Sequence, residues 1–152
     1  MCGRFGRSSR REEILAALEG LPPIREIEDW PSTYNAAPGV VHPVVRVRRD
    51  RADGTIQPVL WGLLPFWAKS PTSNKRLVNA KAETAAQLPL FRQSFQRRRC
   101  LIPADWFYEW KVTPSGKTPY CVRMASHDPF FLGGLWTPGT PGKPMRCRRS
   151  QS

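Results

Sequence analysis

The chain opens Met1-Cys2-Gly3-Arg4-Phe5. Aminopeptidases remove an initiator methionine ahead of a small second residue, so the mature chain is expected to begin at Cys2. A leading cysteine carries an α-amine (pKa about 7.7–8.0) and a thiol (pKa about 8.5) on adjacent carbons. Both therefore have a nucleophilic fraction near neutral pH. Such a 1,2-aminothiol condenses with an aldehyde through its amine, and its sulfur then closes a five-membered thiazolidine. The ordinary alternative is that a cysteine at position 2 is chance.

Glu109 is the second candidate. It lies within Asp105-Trp106-Phe107-Tyr108-Glu109-Trp110. A carboxyl group held among apolar rings keeps its proton more readily than one in water and suits general acid–base work. Equally, Glu109 could be the solvent-facing position of an amphipathic strand, and Asp105 an ordinary turn residue. Asn79, in Arg76-Leu77-Val78-Asn79-Ala80-Lys81, could cap a helix or orient a carbonyl or sugar oxygen through its amide. Lys81 and Arg76 could meet phosphates or simply be solvated. In Trp61-Gly62-Leu63-Leu64-Pro65-Phe66-Trp67, Trp61 and Leu63 are expected inside. Phe66 and Trp67 are expected at the surface, where rings beside Pro and Lys69 suit base stacking. Arg46-Arg48-Arg49-Arg51 and Arg97-Arg98-Arg99 add a positive field, though singly such residues serve solubility.

The elements that must position these groups follow from pattern. Residues 1–9 read as an extended segment. Arg10 to Leu18 reads as a helix capped by Ser8 or Ser9, with Glu12 and Glu13 in its first turn and Ile14, Leu15 and Leu18 on one face. Val40–Val47 and Ile56–Leu63 read as strands flanking the Asp53-Gly54 hairpin signal. Ala80–Leu88 holds helix formers and Phe91–Arg99 a short helix. Strands are expected from Cys100, over Trp106–Val112 and Tyr120–Met124, and at Phe130–Trp136. Residues 137–152 read as a basic, disordered tail, leaving the last apolar strand without a successor.

Composition narrows the class. Among 152 residues, 24 Lys and Arg against 12 Asp and Glu leave a charge of +12, which favours a polyanionic partner such as nucleic acid. Six Trp and seven Phe supply core material, so the chain is no disordered basic arm. Sixteen Pro argue against long helices and for a β-rich fold. No apolar run reaches the ~20 residues that span a bilayer, so no membrane partner is expected. The N-terminus lacks a signal-peptide core. Cysteines at 2, 100, 121 and 147 show no zinc spacing, so no metal or cofactor is expected. Cytoplasmic location with reduced thiols is the default.

Five segments occur in order: Met1-Cys2-Gly3-Arg4-Phe5, Tyr34-Asn35-Ala36-Ala37-Pro38, Trp61 to Trp67, Asn79-Ala80-Lys81-Ala82-Glu83-Thr84, and Cys100 to Trp110. Together they resemble the SRAP family (SOS response-associated peptidases, or abasic-site processing proteins) over residues 1 to about 136. The resemblance implies an α+β fold, a curved, barrel-like β-sheet with a few short helices, incomplete here at the C-terminus. It implies a monomer that binds single-stranded DNA and crosslinks covalently to abasic sites in the DNA damage (SOS) response. It also implies an autopeptidase activity that frees Cys2. By matching motifs, Cys2 would be the nucleophile, Asn79 would orient the opened sugar, and Glu109 would assist proton transfer. Arg4 and Lys81 would contact phosphates, Lys81 standing where the family commonly has Arg. Pro38, Phe66, Trp67 and Trp110 would shape the stacking surface. The family's His-x-Arg-Met-Pro segment has no counterpart, since His42 and His127 lie in other contexts. A non-catalytic single-strand binder and an inactive truncated member are the alternatives.

Overall fold

The structure is a computed structural model and describes residues 3–25, 30–47, 53–63, 77–138 and 146–151, with only the backbone path described for residue 25 and for 146–151. Two sheets face each other. The smaller contains β1 (Arg4–Arg7), β3 (Thr33–Ala36), β8 (Trp106–Thr113) and β9 (Gly116–Arg123) in the order β3-β1-β8-β9. The larger runs β2-β5-β4-β7-β10-β11-β6. It comprises β2 (Ile24–Arg25), β4 (Val41–Val47), β5 (Gly54–Trp61), β6 (Asn79–Lys81), β7 (Arg99–Ala104), β10 (Phe130–Thr137) and β11 (Arg146–Gln151). A two-residue parallel pairing of β11 with β5 curls this sheet toward itself. The expected α+β class with a few short helices is the architecture observed, with two sheets and no closed barrel among the described residues.

β-Branched and aromatic residues that bury on both faces explain the long strands. Along β4 and β5, Val44, Val45, Ile56, Val59 and Trp61 are buried, and the two strands pair antiparallel from Val41↔Leu60 to Val47↔Gly54. The hairpin anticipated from Asp53-Gly54 is therefore present, though residues 48–52 of its loop lie outside the described residues. Phe5 and Ala36 of the smaller sheet meet Val44, Val59, Trp61, Ile102 and Ala104 of the larger in one buried cluster. That shared cluster fixes which faces of the two sheets look inward.

Three short helices cover the remaining apolar surface. α1 (Arg11–Ala16) and the turn after it bury Ile14 and Leu18 against Val45 and Ile56. The helix is shorter than the expected 10–18, and neither serine caps it. The Arg10 backbone N–H instead donates to the Glu13 carboxylate at 2.7 Å. α2 (Ala82–Ala85) and α3 (Pro89–Arg97) bury Ala85 and Phe91 beside Leu63, Ala80 and Leu135. Pro89 opens α3 where its missing N–H costs nothing.

Two expectations for the later chain are revised. Residues 146–151 fall in the stretch read as a structureless tail, yet their backbone forms β11. β10 accordingly has a successor, pairing antiparallel with β11 from Gly134↔Arg149 to Thr137↔Arg146. Main-chain hydrogen bonding drives this pairing, so Arg146-Cys147-Arg148-Arg149 needs no apolar alternation to join the sheet.

One glycine is required by close approach. Gly6 pairs with Trp106, and a Cβ at Gly6 would overlap the Trp106 indole. That indole donates to the Tyr108 hydroxyl at 2.9 Å, which donates to the Tyr34 carbonyl at 3.2 Å. Gly6→Ala should displace the ring and lower unfolding free energy by about 1–3 kcal/mol. The entropic effect of Gly→Ala on the unfolded chain has the opposite sign and is about 0.4–1 kcal/mol. Urea denaturation measures the balance, and an unchanged or raised midpoint would show that the indole does not hold this place.

Candidate functional site at the N-terminal strand

The N-terminal strand is an interior strand. β1 lies between β3 and β8, with Phe5 opposite both Ala36 and Phe107, and Arg4 opposite Tyr108. Its far end is clamped by Asp105, at the corner between β7 and β8. The Asp105 carboxylate accepts from the backbone N–H groups of Ser8 and of Ser9 (2.7 Å for Ser9) and from the Ser9 hydroxyl at 2.5 Å. The Asp105 N–H donates to the Gly6 carbonyl at 2.9 Å. Asp105 is thus more than a turn residue, and its serine partners are used here instead of at the helix cap.

The anchored strand brings its leading residues to β8. Glu109 follows Tyr108, the partner of Arg4. Cys2 lies outside the described residues, and it is two residue steps from Arg4 in the chain, a reach of at most about 7 Å. Directly opposed residues share a face and successive residues alternate. Glu109 therefore shares the inward face with Phe5 and Phe107, whereas Arg4, Tyr108 and Trp110 share the other. The Arg4 guanidinium donates to the Asn35 side-chain oxygen at 3.2 Å on that second face. Trp110 is 40% exposed there, opposite Pro119 on β9. Arg4 and Glu109 are neighbours in register but not on one face.

Asn79 and Lys81 come from the opposite sheet. Asn79 opens β6, opposite Arg149 of β11, and Lys81 closes it. Lys81, not Asn79, is the residue that precedes α2, and no side chain caps that helix. The capping explanation for Asn79 thereby falls away. Ala80 is buried, so Asn79 and Lys81 turn to the other face, Asn79 half-buried and Lys81 exposed. Val78, just before Asn79, and Phe107, two residues before Glu109, pack on the same core cluster. The Trp61 indole N–H donates to the Val78 carbonyl at 3.3 Å. Both strands are thus tied to one buried cluster.

Pro38 sits in the turn between β3 and β4. Gly39, at φ +87°, lets the chain reverse there, and its N–H donates to the Trp61 carbonyl at 2.8 Å. Trp61 and Leu63 are buried, as expected for the aromatic segment's first half. Phe66, Trp67 and Arg76 lie outside the described residues. His42 is buried beneath this turn, its ring 5.2 Å from that of Phe5 and 6.1 Å from that of Trp61. Its Nε2 lies 3.4 Å from the Ala37 carbonyl.

The basic clusters are also partly gathered. The Arg46 guanidinium lies 3.5 Å from the Trp136 ring centroid and that of Arg98 lies 6.0 Å from it. Positive charge from β4 and from the end of α3 therefore meets on one face, suited to a polyanion. Pattern reading missed Asp105 as a clamp and Arg7 as a buried residue. The signal for Arg7 was its i, i+2 spacing from Phe5.

Comparison with known proteins follows the same lines. The family described as SOS response associated peptidase (SRAP) matches residues 1–147. The abasic site processing protein YoqW of Bacillus subtilis is 36% identical over 137 residues, covering 90% of this chain and 60% of that protein. YedK of Escherichia coli, also an abasic site processing protein, is 34% identical over 139 residues, covering 89% and 59%. HMCES of Mus musculus, again so described, is 30% identical over 150 residues, covering 87% and 40%. The chain thus spans about 60% of the length of the bacterial relatives it matches. A crystal structure of a phage-related protein from Bordetella bronchiseptica superposes with a TM-score of 0.76 at 23% identity, covering 99% of this chain and 69% of that one.

The clamp can be tested alone. Asp105→Asn removes the charge that accepts from three donors and sets an amide N–H₂ against them. It should destabilise the fold by about 2–4 kcal/mol, since buried hydrogen bonds to a charged group contribute about 1.5–3 kcal/mol each. Thermal or urea unfolding reports it, and a loss under about 0.5 kcal/mol would show that β1 is held without the carboxylate.

Proposed function

This chain belongs to the SOS response associated peptidase (SRAP) family, and from that membership we propose that it processes abasic sites by crosslinking to them through Cys2. The substrate would be single-stranded DNA, bound by the basic surface and by exposed rings. The single observation that carries the proposal is the placement of the N-terminal strand. The residue two positions after Cys2 is paired in an interior strand, next in register to Glu109.

The chemistry balances without a cofactor. After Met1 leaves, the Cys2 amine adds to C1′ of the ring-opened sugar aldehyde. Glu109 would give a proton to the departing oxygen, and one water leaves as the imine forms. The Cys2 thiol then adds across the C=N bond, its sulfur bonding to C1′ and its proton passing to nitrogen. The product is a thiazolidine. Closing the ring removes the imine, which would otherwise permit β-elimination and strand cleavage. Asn79 would hold the opened sugar through its amide. Lys81 and Arg4 would meet phosphates, Lys81 as a point charge without Arg's bidentate fork. Pro38, Phe66, Trp67 and Trp110 would form the stacking surface, in keeping with the sequence tolerance of base–ring contacts. The family's peptidase designation fits removal of the residue ahead of Cys2.

Incubation with single-stranded DNA containing one abasic site, followed by denaturing electrophoresis, tests the proposal. Wild-type chain should give a heat-stable adduct, and Cys2→Ala should give none while still binding DNA. Glu109→Gln should slow adduct formation by about 10²–10⁴-fold, the usual range for a general acid–base group. Equal adduct from Cys2→Ala would overturn the role given to Cys2, and no adduct from wild type would overturn the crosslinking reading and leave a non-catalytic DNA binder.

A further inference from the structure

A pocket lies apart from these residues, against the far end of β1. It is a cavity of about 420 Å³ with Trp30, Val40, Val41, Pro43 and Pro58 in its wall, and it shares no residue with Arg4, Asn79, Lys81 or Glu109. Pro31, Ser32, Thr33, Arg7 and His42 also line it. Arg7 is only 3% exposed. Its Nη2 donates to the Pro31 carbonyl at 2.7 Å and its guanidinium stands 5.8 Å from the Trp30 ring centroid. Its Nη1 is buried and makes no hydrogen bond among the described residues.

A buried guanidinium nitrogen left unbonded is costly, because its desolvation is uncompensated. Burial in fact pushes the Arg7 pKa down, and Asp105 only partly opposes this. Asp105 does not bond Nη1, and its oxygens instead accept from Ser8 and Ser9. The rest of the wall is mainly tryptophan, proline and valine surface with Ser32, Thr33 and His42 beside it, at a volume within the range of small-molecule sites.

We propose that this pocket binds a small ligand with a flat apolar body and one carboxylate, the carboxylate accepting from Arg7 Nη1. The charge count selects a monoanion. Among the described wall residues Arg7 is the single Lys or Arg, so one negative charge is neutralised and a phosphate dianion would bring an unpaired one into an apolar cavity. The apolar body covers Trp30, Pro43 and Pro58, and ring stacking over proline and tryptophan needs no further polar group. The site is independent of the abasic-site proposal, so either can fail without the other.

Sodium benzoate is the probe and benzamide its uncharged match, each titrated into the full 152-residue chain at constant ionic strength. Two-dimensional ¹H–¹⁵N NMR follows the Ser32, Thr33 and Val41 amides. Benzoate should shift these saturably, and benzamide should bind at least tenfold more weakly. Arg7→Met should weaken benzoate at least tenfold, with Arg7→Lys intermediate. Should Arg7→Met fail to fold, Val40→Trp fills the pocket from an exposed position and leaves Arg7 in place. It should abolish the benzoate shifts with an unchanged melting temperature. Non-saturating shifts with benzoate, equal binding of benzamide, or full binding by Val40→Trp would overturn the proposal and leave Arg7 a purely structural residue.

Discussion

Much of this molecule depends on one carboxylate. Asp105 gathers the Ser8 and Ser9 amides and the Ser9 hydroxyl, residues 96 and 97 positions away in sequence. The acceptor is charged and buried, so the bonds are short and strong and cannot be exchanged for water without loss. The chain leaving β1 is thereby fixed to the corner where β7 turns into β8. An N-terminal strand would ordinarily fray. Here it is held on both edges and at its far end.

The same anchoring organises both sides of β1. Phe5 enters the cluster shared with Trp61 and Ile102, which sets the inward face of the smaller sheet. Glu109 inherits that face by alternation, while Arg4 and Trp110 take the other. Arg7 follows Phe5 inward and is buried because the strand allows it nowhere else. Trp61 ties three segments together: it packs with Phe5, its carbonyl holds the Pro38-Gly39 turn, and its indole holds the backbone of Val78 ahead of Asn79. The SRAP family matches residues 1–147, a span that includes all three segments tied together by Trp61.

The long strands were legible because Val40–Val47 is rich in β-branched residues and Ile56 lies between Thr55 and Gln57, and the helix ending near Leu18 because Ile14 and Leu18 share a face. What pattern could not supply was long-range competition. Ser8 and Ser9 have the chemistry of helix caps, yet a carboxylate far along the chain claims them. Asn79 has the chemistry of a cap too, but pairing with β11 draws it into a strand. β11 itself has no side-chain signature, because backbone bonding places it. The motif residues could be named from sequence, whereas the face each occupies depends on the register Arg4↔Tyr108, which no local pattern encodes.

The central claim is that a freed Cys2, held at the head of an anchored strand, captures a sugar aldehyde with both of its heteroatoms. Intact-mass spectrometry of the product formed with a single-stranded oligonucleotide bearing one abasic site tests this most directly. One heat-stable species is predicted without any reductant, with the mass of the oligonucleotide plus the chain lacking Met1, less one water. A species that retains Met1, or that appears only after borohydride trapping, would contradict it.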